Sequence, residues 1–523
     1  MTPAPSPMSS FAGWMPATVA AALLVAAVFA FEGHVGFNPA DEGFLWYGVR
    51  EALLGAVPIR DFMAYDIGRY GWSAAFAALS GDDGLVALRV SVALFQWLGL
   101  AVALAWLARA VPSRGAWLLG ALALLAWMFP THKVYDIVVC LLLIAATAAV
   151  IDAPSIRRYL AAGVMLGLAA VMGRNHGVYG AVAMLGAVAW NRAAGAGPGP
   201  WAALGAGSAG VVAGYAPMLL LLAFDGGFRV AFVDDLRMMF EAGSTNLPLP
   251  VPWPHLAFSG AATGFALLRE VLVGLMVVAL PAFVVAGAAL ASRSGAARLR
   301  AAPLFVACLL LAAPYAHFAF SRADVPHLAQ GVFPVLLGLL AWPGPGGTAA
   351  PRAAAIRAVL LLAIGLVVVG PVRPGTASRV GTPWPETRIG RDTLRIAPST
   401  AADLAMVRHH VGPHAPGTRD VLVAPNWIGM YPALDLRAPV WEIYMLFPAN
   451  ERRQRAEIRR MEDAGVRLAI VRDGAFDGRE ARRFRNTHPL LQAWLDDGFR
   501  VVARERSAVV YVRDDEALPG PAK

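Results

Sequence analysis

Long apolar runs bounded by charged residues dominate the first 370 or so residues of the chain, a pattern typical of membrane-spanning helices. Eleven such runs are candidate spans, near residues 14–32, 85–108, 115–129, 135–151, 159–173, 177–190, 201–224, 270–292, 301–320, 327–342 and 354–371. The third, fifth and sixth are shorter than the roughly 20 residues of a full crossing. We interpret the first as a retained anchor, because no basic segment precedes it as in a signal peptide. The pattern predicts an α-helical bundle of about eleven spans within residues 1–371.

Two long polar-interrupted segments, 33–84 and 225–268, separate some of these runs. They are too rich in apolar and aromatic residues for disordered linkers, and loops of this length are usually functional. In the first segment, apolar positions from Leu45 to Ala56 recur at helical spacing. This spacing predicts a short helix lying on the membrane surface.

The pattern changes after residues 372–384, which we interpret as a linker, and predicts an α/β domain over residues 385–523. Strands are predicted at Val421–Ala424, Leu468–Val471, Val501–Ala503 and Val509–Val512. Helices are predicted after Ser399, after Asn450 with Gly465 past its end, and after Thr487 with Gly498 past its end. Alternating strands and helices are typical of a small α/β domain. This part has no glycine-rich phosphate loop, nucleophile elbow or metal-ligand spacing, so we expect it to support the site or recognise an acceptor.

Composition excludes a purely soluble enzyme. The chain is 58% hydrophobic and 15% charged, with a mean hydropathy of +0.57, whereas soluble domains carry about a quarter charged residues. Cys140 and Cys308 both lie in apolar runs, which excludes a disulfide framework and a thiolate metal cluster. The net charge of +9 comes mainly from scattered arginines, and no nucleic-acid-binding motif accompanies it.

Loop charges predict the orientation in the membrane. One alternate set of loops carries ten arginines against a single carboxylate, Asp152: Arg109, Arg114, Arg157, Arg158, Arg192, Arg293, Arg298, Arg300, Arg352 and Arg357. The opposite set is rich in carboxylates, and cytoplasmic loops are the ones enriched in Lys and Arg. We therefore expect a multi-pass protein of the cytoplasmic membrane, with its N-terminus inside and the C-terminal domain outside.

The first candidate for chemistry is the sequence Asn38-Pro39-Ala40-Asp41-Glu42-Gly43, directly after the first span. A partly desolvated carboxylate at the membrane surface is suited to act as a general base on an incoming hydroxyl. The alternative is structural: Asn38 caps a helix, and Asp41 and Glu42 complement its N-terminus.

The second candidate lies further along the same outer segment, where Arg60 and Asp61 are followed by Tyr65, Asp66 and Arg69. Arginine binds phosphate bidentately, and aromatic rings stack on sugars or isoprenoids. The alternative is a pair of local ion pairs on a solvated loop, which contribute little to stability.

The third candidate is a set of basic residues on the same predicted face of the membrane. Its members are Lys133, Arg174, His176, Arg322 and His327, with Asp324 beside the last two. Charged residues at membrane depth are costly and tend to be functional, although long basic side chains also extend to lipid headgroups. Asp324 is alternatively a helix cap, and a metal site built on Asp324 and His327 would need further ligands.

These motifs resemble those of the GT-C superfamily of polytopic membrane glycosyltransferases, within the families related to protein mannosyltransferases and lipid A aminoarabinose transferases. The resemblance rests on four stretches: Asp41-Glu42-Gly43, Gly55-x-x-Pro58-x-Arg60-Asp61-Phe62, Arg174-Asn175-His176-Gly177 and Arg322-x-Asp324-x-x-His327. It covers the membrane region and, in layout, the C-terminal domain. The chain departs from the family at residues 66–69, where relatives often carry a proline-rich segment.

The resemblance implies transfer of a sugar from a polyprenyl-phosphate carrier to an acceptor hydroxyl of an envelope glycan, lipid or protein, usually with inversion. Asp41 matches the catalytic carboxylate, with Glu42 and Asp61 as supporting acids. The five basic residues would bind the donor phosphate, whose developing charge needs fixed cations. Arg60, Tyr65, Asp66, Arg69 and Asp324 would position substrate, and no cofactor or metal is expected.

Three alternatives remain open at this stage. A related enzyme could transfer another group from a lipid donor. A transporter or flippase of lipid-linked glycans should carry charges near mid-membrane in interrupted helices, whereas these charges cluster at one surface. A non-catalytic membrane protein of envelope assembly would tolerate loss of the acids.

Overall fold

The computed structural model describes residues 8–241, 243, 246–344, 347–415 and 417–514. The chain divides into two compact units. The helical unit comprises residues 1–31, 90–225 and 244–377, and the mixed unit comprises residues 32–89, 226–243 and 378–523. Parts of two predicted regions lie outside the described residues, namely 242, 244 and 245 of the second outer segment and 416 and 515–523 of the C-terminal domain.

The helical unit consists of helices that follow the apolar runs. They are Met8–Glu32, Leu85–Ala110 (in this unit from Val90 on), Arg114–Trp127, Val134–Asp152, Ile156–Met172, Arg174–Ala193, Pro200–Gly214, Ala216–Phe224, Gly264–Ser294, Ala296–Leu299, Pro303–Ser321, Val325–Gly331, Phe333–Leu340, Pro351–Val368 and Pro374–Ala377, with short 3-10 turns at Thr131–Lys133, Pro254–Ser259 and Gly370–Val372. Serine caps start two of them, because the side chains of Ser113 and Ser155 accept backbone N–H groups of the first turn.

Six helices in the described part of the chain are long and apolar enough to cross a membrane, or seven if the pair Pro200–Gly214 and Ala216–Phe224, bent by 60°, is one span. The remaining four predicted spans are also helical. Arg114–Trp127 has only 14 residues, however, and residues 325–340 are divided into two short helices. Length and composition of the helices therefore do not confirm the predicted count of eleven.

Small residues allow two helices of this unit, Ile156–Met172 and Pro200–Gly214, to pack with their backbones in contact. A Cβ atom on Gly163 would lie 2.1 Å from the carbonyl oxygen of Gly207, and one on Gly210 would lie 2.2 Å from that of Leu160. Such close approach is typical of helix association in membranes, where dispersion forces rather than the hydrophobic effect hold helices together.

The described residues of the mixed unit form six strands and several helices. The strands are β1 (Glu386–Ile389), β2 (Asp392–Arg395), β3 (Val421–Ala424), β4 (Leu468–Arg472), β5 (Phe499–Glu505) and β6 (Ala508–Arg513). The helices are Asp41–Leu53, Ile67–Ser80, Gly226–Glu241, Pro398–His414, Met430–Ala433, Glu451–Asp463, Phe484–Thr487 and Pro489–Gly498, with 3-10 turns at Phe476–Gly478 and Glu480–Arg482. The four predicted strands are confirmed as β3 to β6, whereas the hairpin β1–β2 was not predicted.

The main sheet has the strand order β3-β4-β6-β5, with β3 and β4 parallel and the other pairs antiparallel. The side chains of β3 and the first four of β4 are buried, which explains their continuous apolar sequence. The crossover between them contains helix Glu451–Asp463. Its predicted signals are confirmed: Asn450 caps the start, and Gly465 follows the end with φ +67°.

Helix Asp41–Leu53 is a buried element of the mixed unit. The Trp46 ring lies 3.2 Å from the Cβ position of Gly390, and the Tyr47 hydroxyl accepts the backbone N–H of Ala438 at 3.1 Å. Protein thus covers more than one face of this helix, so the prediction of a helix lying on the membrane surface is wrong.

Candidate active site

Asp41 is the first residue of its helix, and the turn before it is held by Asn38. The Asn38 side-chain oxygen accepts the N–H groups of Ala40 at 2.9 Å and Asp41 at 3.1 Å. The Asp41 carboxylate is partly exposed. Its Oδ1 accepts a hydrogen bond from the Tyr444 hydroxyl at 3.2 Å, and its Oδ2 accepts one from the Asn38 amide at 3.4 Å. Asn38 therefore holds the turn that precedes the helix, but the N-cap position itself is Ala40. The prediction of Asn38 as the cap is wrong, and the Asp41 carboxylate stays accessible.

Gly43 allows this turn to contact another part of the same unit. A Cβ atom on Gly43 would lie 2.4 Å from the backbone nitrogen of Gly429. The Gly429 N–H donates to the Pro39 carbonyl at 2.7 Å. Only glycine fits at position 43 without moving this backbone, so the turn before Asp41 is fixed by residues of the C-terminal segment.

Glu42 lies in a buried ion pair with Arg89. The Arg89 Nε and Nη2 atoms donate to the two Glu42 oxygens, each at 2.8 Å, and both side chains are 7% exposed. The guanidinium also donates to the carbonyls of Gly33, Val35 and Gly36. Sequence reasoning missed Arg89, although it is the single charged residue inside the apolar run 85–108. Through this pairing Glu42 connects the start of helix Asp41–Leu53 to Arg89 and, through the same guanidinium, to the backbone of residues 33–36.

A chain of aromatic contacts extends from Tyr444. Phe44 lies edge-to-face against Tyr444 at 5.9 Å and against Tyr65 at 5.0 Å between ring centroids. The Arg69 guanidinium lies over the Tyr65 ring, 4.6 Å from its centroid. The half-exposed Tyr65 and the buried Arg69 are thereby connected to the neighbourhood of Asp41.

The other predicted residues of the outer segment lie in local arrangements. The Asp61 carboxylate accepts hydrogen bonds from the Arg60 Nε and Nη2 atoms at 2.9 and 2.8 Å and from the Val57 N–H at 2.7 Å. The hydrogen bonds from Arg60 lower the pKa of Asp61 despite some burial. Asp61 lines a cavity of about 380 Å³ that Asp41 does not line, and the buried Asp66 directly precedes helix Ile67–Ser80.

In the helical unit, a hydrogen-bonded chain joins four of the predicted residues. The Lys133 ammonium lies 3.1 Å from His327 Nε2 and 3.2 Å from Gln330 Oε1. His327 Nδ1 lies 2.6 Å from Asp324 Oδ1, and Arg322 Nε donates to Asp324 Oδ2 at 2.7 Å. We call these five residues the lysine cluster. Sequence reasoning missed Gln330, although it follows His327 by three residues in an apolar helix.

Asp324 both caps a helix and contacts the neighbouring basic side chains, the two roles considered for it from the sequence. Its Oδ1 accepts the His327 backbone N–H at 3.0 Å and so caps helix Val325–Gly331. Burial acts to raise the pKa of Asp324, but the hydrogen bonds from His327 and the charge of Arg322 outweigh it and lower the pKa to about 2. Asp324 is therefore ionised at neutral pH and orients Arg322 and His327.

His176 belongs to a different group of side chains. The ring is fully buried, with Nε2 2.9 Å from Asp136 Oδ1 and Nδ1 2.8 Å from the Tyr315 hydroxyl. Arg174 is the first residue of the same helix. The structure thus joins Lys133 with residues 322–330 but gives His176 other partners. Among the described residues, no three His, Cys, Asp or Glu side chains are arranged to hold a metal ion.

Comparison with family models and with curated proteins gave no match. Among solved structures, ArnT from Cupriavidus metallidurans, crystallised with undecaprenyl phosphate, aligns with 96% of this chain and 98% of its own at a TM-score of 0.55 and 16% identity. Two structures of the Archaeoglobus fulgidus oligosaccharyltransferase align with 97% of this chain and 75% of theirs, at 11% identity and TM-scores of 0.43 and 0.41.

The fold assignment rests on ArnT alone, since the scores of the other two structures are too low to support one. ArnT, a lipid A aminoarabinose transferase, has the GT-C fold, and the alignment spans both units of this chain. The resemblance found in the sequence is thereby confirmed at the level of architecture: the chain has the fold of the GT-C membrane glycosyltransferases.

Proposed function

We propose that the protein is a membrane glycosyltransferase that moves a sugar from a polyprenyl-phosphate carrier to an acceptor hydroxyl, at the outer face of the cytoplasmic membrane. The observation that carries the proposal is the GT-C fold over 96% of the chain, with a partly exposed aspartate at the position where the sequence matches the family's catalytic carboxylate. The undecaprenyl phosphate bound to ArnT supports the choice of a lipid-phosphate donor.

In this proposal Asp41 is the general base. Its carboxylate takes the proton of the acceptor hydroxyl while that oxygen attacks the anomeric carbon of the sugar. The bond from the anomeric carbon to the phosphate oxygen breaks, and the polyprenyl phosphate leaves with the bonding electron pair. Attack opposite the leaving group inverts the anomeric configuration. Glu42, held by Arg89, fixes the start of the helix that carries Asp41.

The leaving phosphate gains negative charge as the bond breaks, so fixed cations nearby lower the barrier. We assign this role to Lys133, Arg322 and His327 of the lysine cluster, with Asp324 orienting the last two. Arg174 and His176 remain in the proposed donor site. Because the His176 ring is fully buried against Asp136 and Tyr315, it would act by fixing the helix that begins with Arg174.

Substrate positioning is assigned to the remaining residues of the outer segment. Tyr65 offers a half-exposed ring to a sugar or an isoprenoid, and the Arg69 guanidinium lies over that ring, 4.6 Å from its centroid. Arg60, Asp61 and Asp66 would shape the surrounding loop. We retain the topology of eleven spans with a cytoplasmic N-terminus and an extracytoplasmic C-terminal domain, which the asymmetry of loop arginines supports.

Mass analysis of envelope glycans tests this function without knowledge of the sugar. Cells lacking the protein are complemented with the wild type, with Asp41→Asn, or with the control Asp82→Asn. The control keeps its turn, because the amide oxygen can still accept the Gly84 N–H that Asp82 now accepts at 2.8 Å. We expect one glycan modification to be missing without the protein and with Asp41→Asn, and restored by the other two. Restoration by Asp41→Asn would instead favour a transporter or an assembly role.

A further inference from the structure

Tyr444 belongs to the C-terminal segment but contacts the proposed catalytic carboxylate. Its half-buried hydroxyl donates to Asp41 Oδ1 at 3.2 Å, across 403 positions of the chain. Both residues lie in the mixed unit. Its ring packs edge-to-face on Phe44, one turn further along the Asp41 helix. The contact is therefore a hydrogen bond supported by packing on the same helix.

The backbone on both sides of Tyr444 is fixed to the body of the unit. The Trp441 N–H donates to the buried Glu457 carboxylate at 2.8 Å, and the Met445 N–H donates to the Pro425 carbonyl at 2.9 Å. Between them, Glu442 is 1% exposed and lies 3.4 Å from the ring of His488. A side chain carried by such a segment has a defined position, as a positioning group requires.

The same segment also holds the loop that follows the Asp41 helix. The Trp441 indole donates to the Ile59 carbonyl at 2.8 Å, and the Met63 N–H donates to the Trp441 carbonyl at 2.8 Å. Residues 441–444 thus fasten the outer segment at two places, Asp41 and residues 59–63. The contact with Asp41 is the one that involves a group proposed to react.

We infer that Tyr444 is a positioning residue for Asp41, so that the C-terminal segment takes part in the reaction and not only in folding. The inference rests on the proposed function of Asp41 as general base. With its hydroxyl on Oδ1 at 3.2 Å, Tyr444 fixes the orientation of the carboxylate that is proposed to receive the acceptor proton. A donor to the ionised form also favours that form and keeps the base unprotonated at lower pH.

The test compares Tyr444→Phe with the wild type and with the matched control Tyr511→Phe. Phenylalanine at 444 keeps the ring against Phe44 and removes only the hydroxyl. The Tyr511 hydroxyl instead accepts from Gln492 at 3.1 Å. The full-length protein is assayed in detergent with a panel of undecaprenyl-phosphate-linked monosaccharides and an envelope extract as acceptor, and release of undecaprenyl phosphate is followed across pH.

For Tyr444→Phe we expect kcat to fall about tenfold or more, since hydrogen bonds to charged groups are the strong ones, with the donor KM within about twofold of the wild type. The acidic limb of the pH profile should move up by about one unit. The buried Glu42–Arg89 pair beside this turn is the same in every variant. Tyr511→Phe should leave kcat and the limb unchanged.

A second variant keeps the test decisive if Tyr444→Phe folds poorly. Difluorotyrosine at position 444 keeps the ring and hydroxyl but donates more strongly, so the acidic limb should move to lower pH. If the acidic limb of the pH profile is the same in both Tyr444 variants as in the wild type, and Asp41→Asn is inactive, the inference is overturned and the proposed function stands. Full activity of Asp41→Asn overturns the proposed function itself.

Discussion

Replacing Arg89 by methionine tests whether the buried ion pair holds the turn that carries Asp41. The change removes a guanidinium that makes two hydrogen bonds to Glu42 and three to the carbonyls of Gly33, Val35 and Gly36. Glu42, whose side chain is 7% exposed, is left as an unpaired buried charge. Breaking such a pair from one side costs about 3–5 kcal/mol. At about 1.4 kcal/mol per factor of ten, local opening becomes roughly two to three and a half orders of magnitude more frequent.

Hydrogen exchange followed by mass spectrometry, on the full-length protein in detergent, measures this opening directly. The informative amides are those of Gly43 and Phe44, which donate to Asn38 and Ala40 in the native turn. Glu42→Gln alone should also speed exchange. In the double variant, Arg89→Met with Glu42→Gln, the free-energy cost should be about 1–3 kcal/mol smaller than the sum of the two single costs. The reason is that each single change leaves the other partner unpaired. The reasoning would be refuted if the amides of Arg89→Met exchanged at the wild-type rate. It would also be refuted if the free-energy cost of the double variant equalled the sum of the two single costs.

The remaining predictions concern the donor site, the pH dependence of stability and the topology. Lys133→Met should weaken binding of undecaprenyl phosphate, measured by native mass spectrometry, about tenfold or more, whereas Arg109→Met at the opposite predicted face should not. Burial raises the pKa of Glu457 from 4.5 to about 7, so the folded protein holds a proton that the unfolded chain loses. Stability should therefore fall as pH rises from about 5 to 8, by on the order of 3 kcal/mol, and Glu457→Gln should flatten this dependence in thermal unfolding. Both native cysteines are buried, so a membrane-impermeant maleimide should label Ser399→Cys from outside intact cells and Ala297→Cys only after permeabilisation.

Local signals in the sequence were sufficient for much of the fold. The cap Asn450 and the terminal Gly465 predicted one helix of the C-terminal domain, because both signals act on the nearest turn of backbone. Apolar runs located every long helix of the helical unit. They did not show which runs are interrupted, because a break such as that between Val325–Gly331 and Phe333–Leu340 leaves hydropathy unchanged.

Most contacts of the candidate site that the sequence predicted are between residues close in the chain; the exception is Lys133, which was grouped with His327 and lies 3.1 Å from it. The pairing of Arg60 with Asp61 and the cap formed by Asp324 are local and were among the stated alternatives. The partners of Glu42 and Asp41 are not local: Arg89 lies 47 residues away and Tyr444 lies 403 residues away. Such contacts depend on tertiary packing, and the sequence carried no signal that these distant side chains would meet Glu42 and Asp41.

The most direct test of the account is the turnover of purified Asp41→Asn beside the wild type, with the donor sugar that envelope analysis identifies linked to undecaprenyl phosphate. Asparagine keeps the size of the side chain and can still accept the hydrogen bond of Tyr444, but it cannot take the acceptor proton. General bases contribute about a hundredfold to ten-thousandfold in rate. We therefore predict a loss of kcat of at least about a hundredfold with an unchanged donor KM, and turnover equal to the wild type would contradict the central claim.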